Sequence, residues 1–361
     1  MRILYVITGL GMGGAEKVVC NLADEMVNQG HEVKIAYLTG NAIVHPVSKN
    51  IEIIYLALND FSSFVSASLK YHKLIKRYQP DVVHAHMIHA NLFTRLNRLF
   101  NRSPLLISSA HSSNEGGKLR MLTYFVTHNL ADVTTNVSKN ASKIFIEQNA
   151  VKNKDIITVY NGVDLQKFSK LNKDDRLITE FTAYKDKKII LSVGSFSDAK
   201  DYPNLITAIT RLAEIRQDFI LLIAGEGALR TEVESLIESL NLKGIVKLLG
   251  NRNDIPQLMA FAEIFVLSSK YEGLPTVLIE AMACEKFIVA TDCGGSDEIL
   301  GDTGFLVPIQ NSDLLSKAIN KALNLSEEEK IANGVKARRR VEEEFSLNSN
   351  IQRWLKIYES K

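Results

Sequence analysis

Residues 272–280 read Glu-Gly-Leu-Pro-Thr-Val-Leu-Ile-Glu, two carboxylates with a glycine and a proline just after the first. Alone, Glu272 and Glu280 would pass for an acid/base pair or for the solvated edge of an ordinary helix. The residues between them favour an anion. Pro275 suits the first position of a helix, where a missing N–H costs nothing. The amides of that first turn can then hold a phosphate, and Gly273 lets it approach the backbone closely. Glu280, leaning back toward the helix start, would reach hydroxyls beside the phosphate.

Other residues supply the complementary chemistry. Lys200 follows Val193-Gly194-Ser195 and precedes a helical stretch, so its ammonium can neutralise a phosphate at the strand ends. Leu249-Gly250-Asn251-Arg252, Ala224-Gly225-Glu226-Gly227 and Gly294-Gly295-Ser296 are turns of the same kind. Near the start, Thr8-Gly9-Leu10-Gly11-Met12-Gly13-Gly14 carries the Gly-x-Gly-x-x-Gly spacing of a dinucleotide site. That reading needs an acidic residue for the ribose after the next strand, and Ala36-Tyr37-Leu38-Thr39-Gly40 has none, which disfavours an NAD enzyme. Gly13 and Gly14 still fit a turn whose amides approach a phosphate or a sugar. His84, His86, His89 and His111 have no interleaved carboxylate or cysteine, so a metal cluster is not expected. His111 follows a strand and would face a ligand; an ordinary turn histidine is the plain alternative.

Strand ends must carry these groups. Short apolar runs at 3–7, 32–38, 51–56, 81–84, 105–109 and 156–160 alternate with helical periods. A second series runs through 188–193, 219–224, 245–249, 264–267 and 287–290. Such alternation predicts parallel sheets covered on both faces, in two doubly wound, Rossmann-like α/β domains. Ligand then binds at the carboxyl ends of the strands. The polar stretch 166–186 is expected to link the two, with Leu165, Phe168 and Phe181 able to dock.

At 361 residues, 46% hydrophobic and 23% charged, the chain suits a globular protein of two domains. No apolar run is long enough to span a bilayer, and no signal-peptide pattern opens the chain. Cys20, Cys284 and Cys293 are few and scattered, which suggests reduced thiols and a cytoplasmic setting. Residues 1–173 hold 20 Lys and Arg against 12 Asp and Glu, while the remainder holds 23 against 29. The basic half implies an anionic partner. Lys70, Lys73, Lys76 and Arg77 follow an apolar stretch at 61–69, and Arg95, Arg98 and Arg102 are interleaved with leucines and phenylalanines. These segments could rest on an anionic membrane surface, or be amphipathic helices with their basic side chains in water.

Taken in order, Gly13-Gly14-Ala15-Glu16, Val82-Val83-His84-Ala85-His86, Asn161-Gly162-Val163-Asp164, Gly225-Glu226-Gly227, Glu272–Glu280 and Gly294-Gly295 resemble the retaining glycosyltransferases of family 4, the glycosyl transferases group 1. The resemblance covers nearly the whole chain. It implies the GT-B fold, two Rossmann-like domains facing each other across a cleft. The acceptor-binding domain would occupy 1–165, with a C-terminal helix at about 345–361 packing back on it. The donor-binding domain would occupy 187–344.

The resemblance also implies roles. Glu272 would hold sugar hydroxyls and Glu280 the ribose, with the backbone of Gly273, Leu274, Pro275 and Thr276 on the sugar and pyrophosphate. Lys200 would sit on the diphosphate, His111 beside the donor sugar, and Asn251 and Arg252 near the nucleobase. Ser195 stands where the family often carries an arginine, leaving the diphosphate to Lys200, the helix amides or Arg252. Neither a metal nor another cofactor is implied. The implied reaction moves a hexose or N-acetylhexosamine from a nucleotide sugar, UDP-linked by family frequency. The acceptor would be a glycan, lipid-linked, as in capsule or O-antigen (lipopolysaccharide) assembly on the cytoplasmic membrane face. An epimerase acting on the same donor, or a non-catalytic sugar-nucleotide-binding protein, are the competing readings.

Overall fold

The computed structural model describes residues 1–360 apart from Met12, 101–104, 114–116, 152–154 and 171–174. Arg102 therefore lies outside the described residues. The chain divides into two units, Met1–Gly162 with Leu347–Lys361, and Val163–Ser346.

The first unit is built on seven strands: β1 (Arg2–Ile7), β2 (Glu32–Tyr37), β3 (Glu52–Tyr55), β4 (Val82–His86), β5 (Leu105–Ser109), β6 (Val133–Asn136) and β7 (Ile157–Thr158). They pair in parallel in the order β3-β2-β1-β4-β5-β6-β7. Alternate residues of a strand point to opposite faces, so β1 feeds two cores at once. Ile3, Tyr5 and Ile7 pack with the helix Gly14–Asn28 and with Ile351, Trp354 and Tyr358 of the last helix, Leu347–Glu359. Leu4 and Val6 pack on the other face with Val83, Ala85 and Phe93. The last helix thus completes the core of the unit in which the chain begins.

Two features of this unit differ from expectation for one reason. Arg95 is not on a surface: it is fully buried on the helix Ile88–Asn97. Its guanidinium donates to Ser108 Oγ (3.0 Å), the Tyr124 carbonyl (3.3 Å), Thr127 Oγ1 (3.3 Å) and Thr134 Oγ1 (3.1 Å). Arg98 is drawn inward too, donating to Asp132 (2.5 Å) and the Leu130 carbonyl (3.1 Å). Strand β6, with the sequence Val-Thr-Thr-Asn, has too little apolar character to be read as a buried strand. Yet Thr134 accepts from Arg95, and Thr135 shares a hydrogen bond with Ser109 (2.6 Å). A buried charge and a polar strand satisfy one another, which no hydrophobic pattern reveals.

The second unit has six parallel strands: β8 (Lys188–Val193), β9 (Phe219–Ala224), β10 (Val246–Gly250), β11 (Ile264–Leu267), β12 (Phe287–Thr291) and β13 (Phe305–Val307). Their order is β10-β9-β8-β11-β12-β13. Strands β9, β11 and β12 are buried along their full length, as expected where helices cover both faces. The stretch expected as a linker packs into this unit. Phe181 is buried and stacks on Phe261 (5.7 Å between centroids), and Glu180 accepts from Arg252. Arg338, on the helix Glu327–Arg340, donates to the carbonyls of Phe168 and Ala283 at 2.8 Å each. Apolar anchors and these polar contacts outweigh the segment's lysine-rich composition.

Candidate active site

An open parallel sheet offers its ligand site at the carboxyl ends of the strands where the winding reverses direction. In the second unit that point lies between β8 and β11. The loop after β8 carries Gly194 to Lys200, and the loop after β11 carries Ser268 to Pro275. They bring Lys200 and Glu272 together: Nζ donates to Oε1 at 2.5 Å, with side chains only 19% and 15% exposed. Glu272 Oε1 also accepts from Ser269 Oγ at 2.8 Å, and Ser268 Oγ donates to the Lys200 carbonyl at 2.9 Å. The two loops are therefore tied to each other by main-chain and side-chain bonds. Asp201, immediately after Lys200, holds a left-handed φ of 46°, uncommon for a residue with a Cβ and a mark of local strain.

The helix after Glu272 runs Thr276–Ala283. Pro275 is its N-cap and not its first helical residue, because its ψ of 86° is outside the helical range. Pro275 has no side-chain acceptor to cap this N-terminus, so the first amides of the helix can hold an anion. Buried Leu278, Ile279 and Met282 anchor the helix. Gly273 and Thr276 are half-buried at its start, and Leu274 is buried. Glu280 lies in the second turn, half-buried. Gly294, after β12, has φ +56°, and a Cβ there would overlap the Glu272 carbonyl. Gly225, after β9, has φ +150°, and a Cβ would overlap the Gly194 carbonyl. Gly294 lets its loop lie directly against Glu272, and Gly225 lets its loop lie against Gly194, at the start of the loop that carries Lys200.

Two expected donor residues stand farther off. Asn251 and Arg252 follow β10, the edge strand, two strands from β8. The Arg252 guanidinium donates to both oxygens of Glu180 (2.9 Å each) and to both of Asp254 (2.8 and 2.6 Å). Asn251 is exposed beside it. Ser195 is exposed, and its Oγ is 3.2 Å from Ser197 Oγ.

In the first unit the winding reverses between β1 and β4. The glycine turn follows β1, with Gly13 as N-cap of the helix Gly14–Asn28 and Gly14 exposed. His86 ends β4, and His111 lies just beyond β5. His86 Nδ1 is 3.0 Å from His111 Nε2. Burial pulls the His111 imidazole down to about 4, and burial with the neighbouring rings holds His84 and His86 well below the ordinary histidine range. All three are neutral at pH 7. Met87, directly after His86, has φ +71°. Sequence reasoning did not find Met87 or Asp201 as left-handed positions: nothing in a methionine favours a positive φ, and an aspartate favours one only weakly. Ser269 was equally hidden. No group of side chains suited to hold a metal ion is found among the described residues.

Residues 173–339 match the family described as Glycosyl transferases group 1, and residues 12–167 match Glycosyltransferase Family 4. One relative is a Campylobacter jejuni N-acetylgalactosamine-N,N'-diacetylbacillosaminyl-diphospho-undecaprenol 4-alpha-N-acetylgalactosaminyltransferase, 29% identical over 88% of each chain. Another is the Bacillus anthracis N-acetyl-alpha-D-glucosaminyl L-malate synthase, 25% identical over 96% of this chain and 94% of its own. Among solved structures, Anabaena HepE in complex with UDP superposes with a TM-score of 0.83 at 20% identity, covering both chains in full.

Proposed function

The chain belongs to the family 4, group 1 glycosyltransferases, and on that premise we propose that it is a retaining transferase moving a hexose or N-acetylhexosamine from a nucleotide sugar to a glycan acceptor. The observation that carries this reading is the Lys200–Glu272 pair at the winding reversal of the second sheet, beside a helix start whose N-cap is a proline. Departure of a nucleoside diphosphate builds negative charge on phosphate and positive charge on the anomeric carbon. Lys200 and the amides of Thr276 and Val277 stabilise the first, by donors fixed before the reaction begins. The glutamates are not a glycosidase pair. Glu272 binds sugar hydroxyls, Glu280 accepts from the ribose, and the departing phosphate takes the acceptor proton on the same face. Because Lys200 and the amides carry the diphosphate charge, the reaction is proposed to need no metal.

The donor is proposed to be UDP-linked, supported by the UDP in the HepE structure, and an N-acetylhexosamine is favoured by the names of both relatives. The acceptor is proposed to be a polyprenyl-diphosphate-linked sugar in cell-surface polysaccharide assembly, supported by the Campylobacter relative. The malate synthase favours a second reading, a small soluble acceptor. Incubating the protein with UDP-sugars, alone, with an undecaprenyl-diphosphate-linked sugar, or with malate, separates these. Release of UDP only with the lipid-linked sugar, unaffected by EDTA, is expected. Donor consumed without any acceptor would mean an epimerase, and no turnover in any arm would mean a binding protein.

No helix among the described residues is long and apolar enough to cross a membrane. We propose cytoplasmic, peripheral association through the helix Phe64–Tyr78. Phe61, Val65 and Leu69 are exposed at helical spacing, and Lys70, Lys73, Lys76 and Arg77 continue the exposed face. Each basic residue near an anionic leaflet contributes about 1 kcal/mol. Changing Lys73, Lys76 and Arg77 to Glu should sharply reduce flotation with anionic vesicles. Equal flotation by parent and variant would refute this surface.

A further inference from the structure

Three histidines of the first unit, His84, His86 and His111, lie ring against ring, and their order fixes a proton. His86 is 1% exposed, its Nδ1 lies 3.0 Å from His111 Nε2, and its own Nε2 is buried with no hydrogen-bond partner among the described residues. Both rings are neutral, so a single proton lies between them. If His111 donated it, His86 would carry its remaining proton on Nε2, a buried N–H with nothing to accept it. If His86 donates from Nδ1, its Nε2 is only a lone pair, and an unpaired buried acceptor is tolerated better than an unpaired buried donor. His111 then accepts at Nε2 and carries its proton on Nδ1.

We infer that His86 is a positioning residue that holds His111 as an Nδ1–H donor, suited to the oxygen of a sugar hydroxyl or acetamido carbonyl. The inference rests on the proposed glycosyl transfer and on the placing of His111 beside the donor sugar that the family resemblance implies. His86 is itself held from behind. Its ring lies against that of His84, centroids 3.9 Å apart. His84 is bonded at both nitrogens, to Tyr358 Oη (2.7 Å) and Ser109 Oγ (2.6 Å). Tyr5 Oη closes the chain on Tyr358 at 3.2 Å. A tyrosine three residues from the end of the chain thereby braces the ring that orients His111.

Long-range nitrogen–proton NMR of the protein labelled with nitrogen-15 histidine reads the tautomer without any substrate. The parent protein should show His111 protonated at Nδ1 and bare at Nε2. His86→Leu should lose that single tautomer and lower kcat at least tenfold, with KM for the nucleotide sugar little changed. His86→Asn, whose side-chain amide falls near the place of Nδ1, should restore both tautomer and most of kcat. Trp354 fluorescence verifies that the variants are folded. A His111 protonated at Nε2 in the parent, an unchanged kcat in His86→Leu, or an Asn variant no better than Leu would overturn the inference. Full activity in His111→Ala would instead remove the premise about His111 while leaving the tautomer result standing.

Discussion

Lys200 and Glu272 are 72 positions apart in sequence and 2.5 Å apart in the fold. The glutamate was legible because its glycine, proline and partner Glu280 surround it. The lysine was legible only through the family resemblance, since a lone lysine before a helix is ordinarily a surface residue. Their contact gives a test at the scale of the residue. Glu272→Ala should nearly abolish UDP release in the acceptor-dependent assay. Lys200→Ala should lower kcat by about 10²–10³, the loss typical of removing one preorganised charge-stabilising donor. Wild-type turnover in Glu272→Ala would sink its assignment as the sugar-binding residue. Ser195 shows the limit of such reading. It stands where a guanidinium was expected, and its side-chain Oγ lies 3.2 Å from that of Ser197. Arg252, the substitute considered from sequence, is committed to Glu180 and Asp254 by four hydrogen bonds.

At the scale of the element, most strands were visible as short apolar runs because helices bury both faces of each sheet. Those that were not visible, β6 and β13, are polar or only three residues long. The misplaced Arg95 and the unseen β6 are one miss: the two satisfy each other inside the first unit. The strand-end loops make a sharper prediction. Gly294→Ala must adopt a positive φ and push a methyl into the Glu272 carbonyl. It should cost about 1–3 kcal/mol of stability and displace the Glu272 loop, lowering activity along with the melting temperature. Gly244→Ala, where a Cβ meets nothing within 4 Å, should change stability by less than about 0.5 kcal/mol. Equal melting temperatures for the two variants would show that the loop accommodates the methyl.

The whole molecule carries a pH dependence that no single motif discloses. His84, His86 and His111 are held neutral in the fold, His111 down to about 4. Unfolded histidines titrate near 6.5, so below that pH the unfolded chain binds more protons than the folded one. Above about 6.5 neither state is protonated and the histidines impose no penalty. As pH falls toward 4, stability is lost, by up to about 1.4 kcal/mol per pH unit for each such histidine. Trp354, the one tryptophan, sits against His84 with centroids 4.4 Å apart and reports on this unit. Its urea unfolding midpoint should drop between pH 7 and 5, and His111→Gln should drop less. A midpoint independent of pH over that range would contradict the buried neutral stack.

The sequence by itself determined the fold class, the two βα series and the segment 272–280 as the centre of the chemistry. Those depend on local periodicity and on short motifs, which the chain states directly. Tertiary structure decided which polar groups are buried against which. It put Arg95 in the core, bonded the C-terminal Tyr358 to His84, assigned 163–186 to the second unit, and set His86 against His111. For 163–186 the reason is the burial of Phe181 against Phe261 together with bonds to Arg338 and Arg252; the other three share a single reason. A polar side chain in the interior is stable only with a partner of matching geometry, and that partner lies on a different strand or helix, far away in sequence.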